Sequence, residues 1–258
     1  MLIAISGKGG SGKTTIAGTL ARSLGQRGQP VLAIDGDPNP TLALTLGIPH
    51  TEADRIPALP TDVLEVVAAP DGTRTRQLRL PVPALTKEYG TTAADDVTLL
   101  IGGRVEHAAR GCMCNTHAAI RTILKELLSS DQGITLADME AGIEHLSRAT
   151  LSNLDVLLVV VEPFYKSIYT AEKVVALARE LGIPRIVGVA NKVRDDAGRA
   201  AIAAACERWG IEIIAEIPFD EALRDAEQAR KAPIDVAPES PAVRAVRDLA
   251  DTLVPVAV

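Results

Sequence analysis

Residues 1–15 read MLIAISGKGGSGKTT. The apolar run Leu2-Ile3-Ala4-Ile5 leads straight into a glycine-rich turn, and Thr14-Thr15 then open a helical pattern through Ile16, Leu20 and Leu24. The stretch is therefore a strand, a loop and a helix. Gly7, Gly12, Lys13 and Thr14 stand at the G-x-x-x-x-G-K-[ST] spacing of a phosphate-binding loop. Glycines let successive backbone N–H groups curl round a polyphosphate, and the helix N-terminus adds its partial positive charge. In such a loop Lys13 reaches the β and γ phosphates and the Thr14 hydroxyl ligates Mg²⁺.

A single phosphate loop needs only Lys13, yet a second lysine, Lys8, stands at the start of the turn. It is either a solvated side chain or a further phosphate contact. The run Lys8-Gly9-Gly10-Ser11-Gly12-Lys13-Thr14 resembles the K-G-G-x-G-K-T signature of the deviant Walker A class, the superfamily of ParA, MinD and the nitrogenase iron protein. The resemblance implies an ATP-dependent homodimer in which Lys8 reaches the partner's nucleotide, with Gly7 to Thr15 cradling each one.

The 258 residues suffice for one large α/β domain, and strands alternate with helices along them, so a single domain over 1–258 is expected. Hydrophobic residues make up 47% and charged residues 23%, as in globular proteins generally. With aromatics at 2%, stacking platforms for bases are not expected. The net charge of -6 argues against nucleic acid or an anionic membrane as main partner, since both reward a basic patch. With no signal peptide before the first strand and no apolar run of spanning length, a cytoplasmic protein is expected. Three cysteines, two of them nearly adjacent, do not make a secreted disulfide framework.

Pro30 to Ile34 reads as a second buried strand, ending in Asp35-Gly36-Asp37-Pro38-Asn39. Carboxylates at the end of a strand beside a phosphate loop lie where open α/β sheets bind ligands. Asp37 matches the superfamily's switch I aspartate, which the resemblance makes the residue that positions the attacking water. An Asx-Pro turn is the plain alternative, and Asp35 is the more ambiguous of the pair. From 49 to 95 the pattern loses its rhythm: six of the sixteen prolines fall between Pro49 and Pro83, beside a basic cluster at Arg74, Arg76 and Arg79. The expectation there is an irregular surface insertion with one edge strand near Val63 to Val67.

Val97 to Ile101 is another strand, and Arg110-Gly111-Cys112-Met113-Cys114-Asn115-Thr116-His117 then precedes an amphipathic helix with apolar positions at Ile120, Ile123 and Leu124. A helix N-terminus lowers thiol pKa and favours the thiolate that binds metal. A disulfide between Cys112 and Cys114 would close a small strained ring. Two thiolates are half a tetrahedral site, so a Cys₄ site shared across a dimer axis completes them, with His117 and Met113 in reserve. Two small residues packed at a strand-to-helix join are the alternative.

Ile134 to Asp138 is the next strand, with Asp138 where a Walker B aspartate holds Mg²⁺ through water. The segment Met139 to His145 then stands as switch II. Taken with D-x-D-P-N at 35–39 and G-C-M-C at 111–114, the run D-M-E-A-G-I-E-H at 138–145 is similar to the CooC-type nickel-inserting maturation ATPases of carbon monoxide dehydrogenase. That resemblance covers nearly the whole chain. It makes Cys112 and Cys114 ligands of Ni²⁺ or Zn²⁺ shared across the dimer, and it makes the client a metalloenzyme such as carbon monoxide dehydrogenase. Glu140, Glu144 and His145 match the family pattern, and salt bridges tethering switch II account for them equally well.

Leu157 to Val161, Ile186 to Val189 and Ile211 to Ile217 complete the strands, with helices from Thr170 to Glu180, Ala197 to Trp209 and Pro241 to Leu253. Asn191 and Lys192 match the superfamily's base-binding position, and Pro218 would pack over the base. Arg194 stands where a guanine-reading aspartate would be, which favours adenine, and so ATP. Cys206 reads as an inert core thiol, and the last helix lacks the basic face of a membrane anchor. The expected fold is α/β, a doubly wound and mainly parallel sheet of about seven strands with helices on both faces. The catalytic set is Lys8, Lys13, Asp37 and Asp138. An iron–sulfur cluster carrier and a ParA/MinD-like positioning ATPase are the alternative functions.

Overall fold

Along the first strand, β1 (Leu2–Gly7), every residue is buried and successive side chains enter different cores. Leu2 and Ala4 join one apolar cluster, while Ile3 and Ile5 join the other. A strand apolar on both faces needs a layer on each side, and that requirement organises the molecule. The computed structural model describes residues 1–37, 39–60, 62–68, 74–104, 114–127, 133–139 and 154–255.

Helix α1 (Lys13–Gly25) follows β1, then β2 (Val31–Asp35), the short turns α2 (Leu42–Thr45) and α3 (His50–Ala53), and the antiparallel ribbon β3 (Leu64–Ala68) and β4 (Arg74–Leu78). Next come α4 (Val82–Tyr89), β5 (Thr91–Thr92), β6 (Val97–Ile101), α5 (Cys114–Leu127), β7 (Ile134–Asp138) and β8 (Val156–Val161). The remainder alternates α6 (Tyr165–Glu180), β9 (Ile186–Val193), α7 (Asp196–Trp209), β10 (Glu212–Pro218), α8 (Glu221–Gln228), α9 (Pro233–Val236) and α10 (Pro241–Leu253).

The main sheet has eight strands in the order β10-β9-β8-β1-β7-β2-β6-β5, all parallel except β5, which runs against β6. The doubly wound fold is thus as expected, with β5 as the strand added to the expected seven. From β1 the chain moves one way to β2 and β6, and from β7 it crosses to the other side, to β8, β9 and β10. That reversal brings the carboxyl ends of the central strands round one crevice, where open α/β sheets bind ligands.

Three stretches differ from expectation. Helix α6 starts at Tyr165, five residues before the predicted Thr170; its first turns expose Tyr165 and Tyr169 and bury Ser167, which inverts the apolar pattern that marks a helix in sequence. Asn191 and Lys192 lie within β9 rather than after it. Between 49 and 95 there is an ordered ribbon and the helix α4 where mostly loop was expected. Pro81 and Pro83 occupy the cap and first turn of α4, the positions where a helix tolerates proline.

Helix α10 buries Ala242, Val243, Val246, Leu249, Ala250 and Leu253, and its apolar face packs against α1 in the core. That face is not available to a lipid surface. No helix among the described residues is long and apolar enough to cross a membrane.

Candidate active site

The phosphate loop hangs between β1 and α1. Gly7 adopts φ 152°, and a Cβ there would sit 2.5 Å from the Val160 carbonyl oxygen, so the loop leaves the sheet by passing against β8. The Ser11 N–H donates to the Lys8 carbonyl (3.1 Å), closing the turn. Gly12 caps α1 in the left-handed region (φ 92°, ψ 14°) with no side chain bonded to the helix N-terminus. The first amides of α1 are therefore left to an anion. Lys13 is 8% exposed and its Nζ donates to the Lys8 carbonyl (3.3 Å). Lys8 Nζ, at the exposed rim, donates to the Gly9 carbonyl (3.0 Å).

The end of β9 holds this loop from below. Asn191, 5% exposed, donates from Nδ2 to the Ser11 carbonyl (2.7 Å), and Lys192 Nζ donates to the Gly10 carbonyl (2.7 Å). Lys192 is also paired with Glu162 at 2.8 Å, and its backbone is left-handed (φ 57°). The expected base-binding pair thus lines the cleft and also donates to the loop itself. Pro218 lines the same cleft. Arg194 lies over the Phe219 ring, 3.3 Å from its centroid, on that side.

Across the crevice, Asp35 and Asp138 are register partners on β2 and β7. Asp138 is 2% exposed, and its Oδ1 has no hydrogen-bond partner among the described residues. Burial pushes its carboxyl up to about 7, and a hydrogen bond from the Thr14 side chain only partly offsets this. A buried carboxylate oxygen aimed at a threonine hydroxyl beside a buried lysine fits the surroundings of Mg²⁺. Thr14 would hold the ion directly and Asp138 through water.

Asp35 resolves the ambiguity the sequence left. Its Oδ1 accepts the Asp37 N–H (3.1 Å) and its Oδ2 accepts the Leu42 N–H (2.9 Å), so it shapes the turn that carries Asp37. Burial pushes this carboxyl up to about 6, against the lowering effect of those two N–H groups. Asp37 is half-buried, accepts the Asn39 N–H (2.8 Å) and lines the cleft. That cleft has a volume of 1220 Å³ and runs from Gly9 to Thr15 past Asn191 and Phe219 to α8.

The cysteine stretch is described only from Cys114, the first residue of α5. Cys112, Glu140, Glu144 and His145 lie outside the described residues, and no metal-binding group of three or more such side chains occurs within them. What the structure does place is the body of α5. A Cβ at Gly102 would meet Ile120 Cδ1 at 2.5 Å, and one at Gly36 would meet the same atom at 3.4 Å and Met139 Sδ at 3.5 Å. Ile120 therefore sits against the residue between Asp35 and Asp37 and beside the residue after Asp138. Cys206 is 1% exposed, free and pushed up to about 11 by burial, as an inert thiol should be.

Two contributors were not read from the sequence. Glu162, one charged residue closing the apolar run of β8, is the counter-ion of Lys192. Its signal was a carboxylate at the end of a strand that otherwise has only apolar residues. Asp220 accepts the N–H groups of Ala222 (3.0 Å) and Ala242 (3.1 Å), joining the starts of α8 and α10 at the edge of the cleft. An aspartate directly before a helical pattern was the available cue.

Residues 2–234 match the family described as the CobQ/CobB/MinD/ParA nucleotide binding domain. A curated relative from Rhodospirillum rubrum, the carbon monoxide dehydrogenase accessory protein CooC, is 38% identical over 92% of this chain and 91% of its own length. An archaeal protein named as an iron–sulfur cluster carrier, from Methanocaldococcus jannaschii, is 27% identical over 87% of this chain and 74% of its own. Among solved structures, the MinD cell division protein of Aquifex aeolicus superposes with a TM-score of 0.72 and 26% identity, covering 100% of this chain and 98% of that one.

Proposed function

This chain belongs to the CobQ/CobB/MinD/ParA nucleotide-binding family and is an ATPase, and on that premise we propose that it is a Mg-ATP-dependent metallochaperone. It works as a homodimer and delivers nickel to carbon monoxide dehydrogenase or a related metalloenzyme. Zinc is the other ion that suits the thiolates. The observation that carries this reading is the packing of Ile120. The helix that begins at Cys114 rests on Gly36 in the Asp35–Asp37 turn and beside Met139 after Asp138. Any shift of those two segments on ATP binding or hydrolysis is felt by α5, and so by the thiolates at its start.

In the hydrolytic step Asp37 positions the attacking water, and Lys13 with the partner's copy of Lys8 neutralises charge growing on the phosphates. Mg²⁺ supplies further neutralisation when bound at Thr14 and Asp138. Asn191 and Lys192 hold the loop in shape from below. The cargo ion is held by Cys112 and Cys114 of each protomer, four thiolates in all, with the helix N-terminus favouring the ionised form. A second reading keeps the dimer and the ATPase and lets the same thiolates carry an iron–sulfur cluster. The 27% identity to a protein of that name favours it.

Metal content and dimerisation of anaerobically purified protein separate these readings, with and without ATP, beside a Cys112→Ala/Cys114→Ala variant. About one nickel or zinc per dimer, absent from the variant and without iron or labile sulfide, supports the metallochaperone. Iron and sulfide in near-equal amounts, with brown colour, replace it by the cluster carrier. ATP-driven dimerisation without any bound metal refutes both.

A further inference from the structure

The β3–β4 ribbon has no role in the nucleotide site, and its exposure is unusual for strands. Eight of its ten residues are exposed, among them Val66 at 61% and Val67 at 37%. It is not a loose appendage. Leu78 is buried at its base, in the same apolar cluster as Ile123 and Leu124 of α5, against which β4 packs. The register puts Leu64 opposite Leu78, Val66 opposite Arg76 and Ala68 opposite Arg74, all on one face. That face starts in the core at Leu64 and Leu78 and continues outward as an uncovered strip of Val66, Ala68, Arg74 and Arg76.

The charges of the ribbon divide in a telling way. Arg79 is paired with Asp62 (2.9 Å), and Glu65 takes a hydrogen bond from Gln77 (2.9 Å). Arg74 and Arg76 have no ion-pair partner among the described residues. In a chain of net charge -6, this is an apolar strip flanked by two guanidinium groups with no ion pair among the described residues. Arginine forks suit carboxylates, and β-branched side chains beside them suit the apolar centre of a protein interface. A duplex would make little use of Val66 and Ala68, and two arginines are a thin basis for phosphate binding.

We propose that the ribbon is a docking element for an acidic, partly apolar protein surface, and that this surface belongs to the metalloenzyme that receives the metal. The proposal rests on the metal-delivery reading above. Its geometry comes from α5: β4 packs against this helix, whose fourteen residues from Cys114 to Leu127 run about 21 Å along its axis. A standard interface of about 800 Å² per partner covers that distance. A partner held on the ribbon is thereby held against the helix that carries the thiolates.

The test uses the full-length protein, loaded with nickel and ATP, and immobilised nickel-free carbon monoxide dehydrogenase from the same cells. Wild type is compared with Arg74→Glu/Arg76→Glu and with Val66→Ser/Ala68→Ser, and ATP hydrolysis, metal content and thermal unfolding are measured on each. The expected result is a loss of affinity of about tenfold or more for the charge reversal. A smaller loss is expected for the serine pair, a falling affinity with salt for wild type, and unchanged hydrolysis and metal content throughout. Equal binding by wild type and both variants overturns the ribbon proposal and leaves metal delivery standing. No binding by a wild type that still holds metal and hydrolyses ATP removes this client, and the ribbon proposal with it. If instead the arginines govern retention on duplex DNA and not on the enzyme, the partner class is wrong.

Discussion

Replacing Gly12 by alanine tests whether β9 shapes the phosphate loop. The residue sits at φ 92°, where a Cβ costs roughly 1–2 kcal/mol. The added atom would lie 2.4 Å from Asn191 Nδ2, well inside contact distance, so the amide must leave the Ser11 carbonyl. Losing that buried hydrogen bond costs about 1–3 kcal/mol more, and Gly12→Ala should destabilise the chain by about 2–5 kcal/mol in all. Asn191→Ala removes the same hydrogen bond without the backbone strain and should cost only about 1–3 kcal/mol. In the double variant the hydrogen bond is lost once, not twice. Its destabilisation should therefore fall short of the sum of the singles by about 1–3 kcal/mol. Urea unfolding without nucleotide measures all four corners of the cycle, with an unchanged m-value as the check on a common unfolded state. Additivity within about 0.5 kcal/mol would refute the claim that Gly12 and Asn191 meet.

The two aspartates of the 35–39 segment should separate cleanly. Asp37→Ala should slow ATP hydrolysis by about a hundredfold or more while unfolding changes little. Asp35→Ala deprives two backbone N–H groups of their acceptor and should lower stability by about 2–4 kcal/mol. Equal loss of stability in the two would contradict the division of roles. Because burial raises the Cys206 thiol from 9.0 to about 11, the folded chain holds this proton more tightly than the unfolded one. The resulting stability is complete below pH 9 and is lost as the pH rises toward 11, a slope that Cys206→Ala should reduce. In a Cys112→Ala/Cys114→Ala background, maleimide at pH 8 should label Cys206 only after unfolding, and rapid labelling of the native chain would show the thiol to be reachable.

What could be read in advance was local. The phosphate loop declares itself because its glycines, lysine and threonine lie within eight residues, and strand β7 was legible to the residue because apolar runs and a terminal aspartate bound it. The bracing of that loop was not legible. Asn191 and Lys192 lie about 180 positions away, and nothing in an Asn-Lys pair distinguishes a group facing a base from one facing a carbonyl. The ribbon was half read, for a different reason: the strand expected near Val63 to Val67 is β3, while its partner β4 and the helix α4 were not expected. Its neighbouring prolines were counted as breakers, although Pro81 and Pro83 lie where proline starts a helix. Asp35 and Asp37 could be located but not divided between structure and chemistry until the N–H groups of Asp37 and Leu42 were seen to fill both oxygens of Asp35.

The place of β1 in the sheet has a consequence for how the chain is made. Its two neighbours are β7 and β8, so this strand of six buried residues has no sheet partner until residue 134, about 130 positions later, has been synthesised. At roughly 5–20 residues per second the ribosome takes on the order of ten seconds to supply the first of them. During that interval an apolar, β-prone segment stands without its ladder, and non-local parallel pairing then adds a slow search. The nascent chain should therefore depend on a holding chaperone at β1, for longer than at any other strand among the described residues.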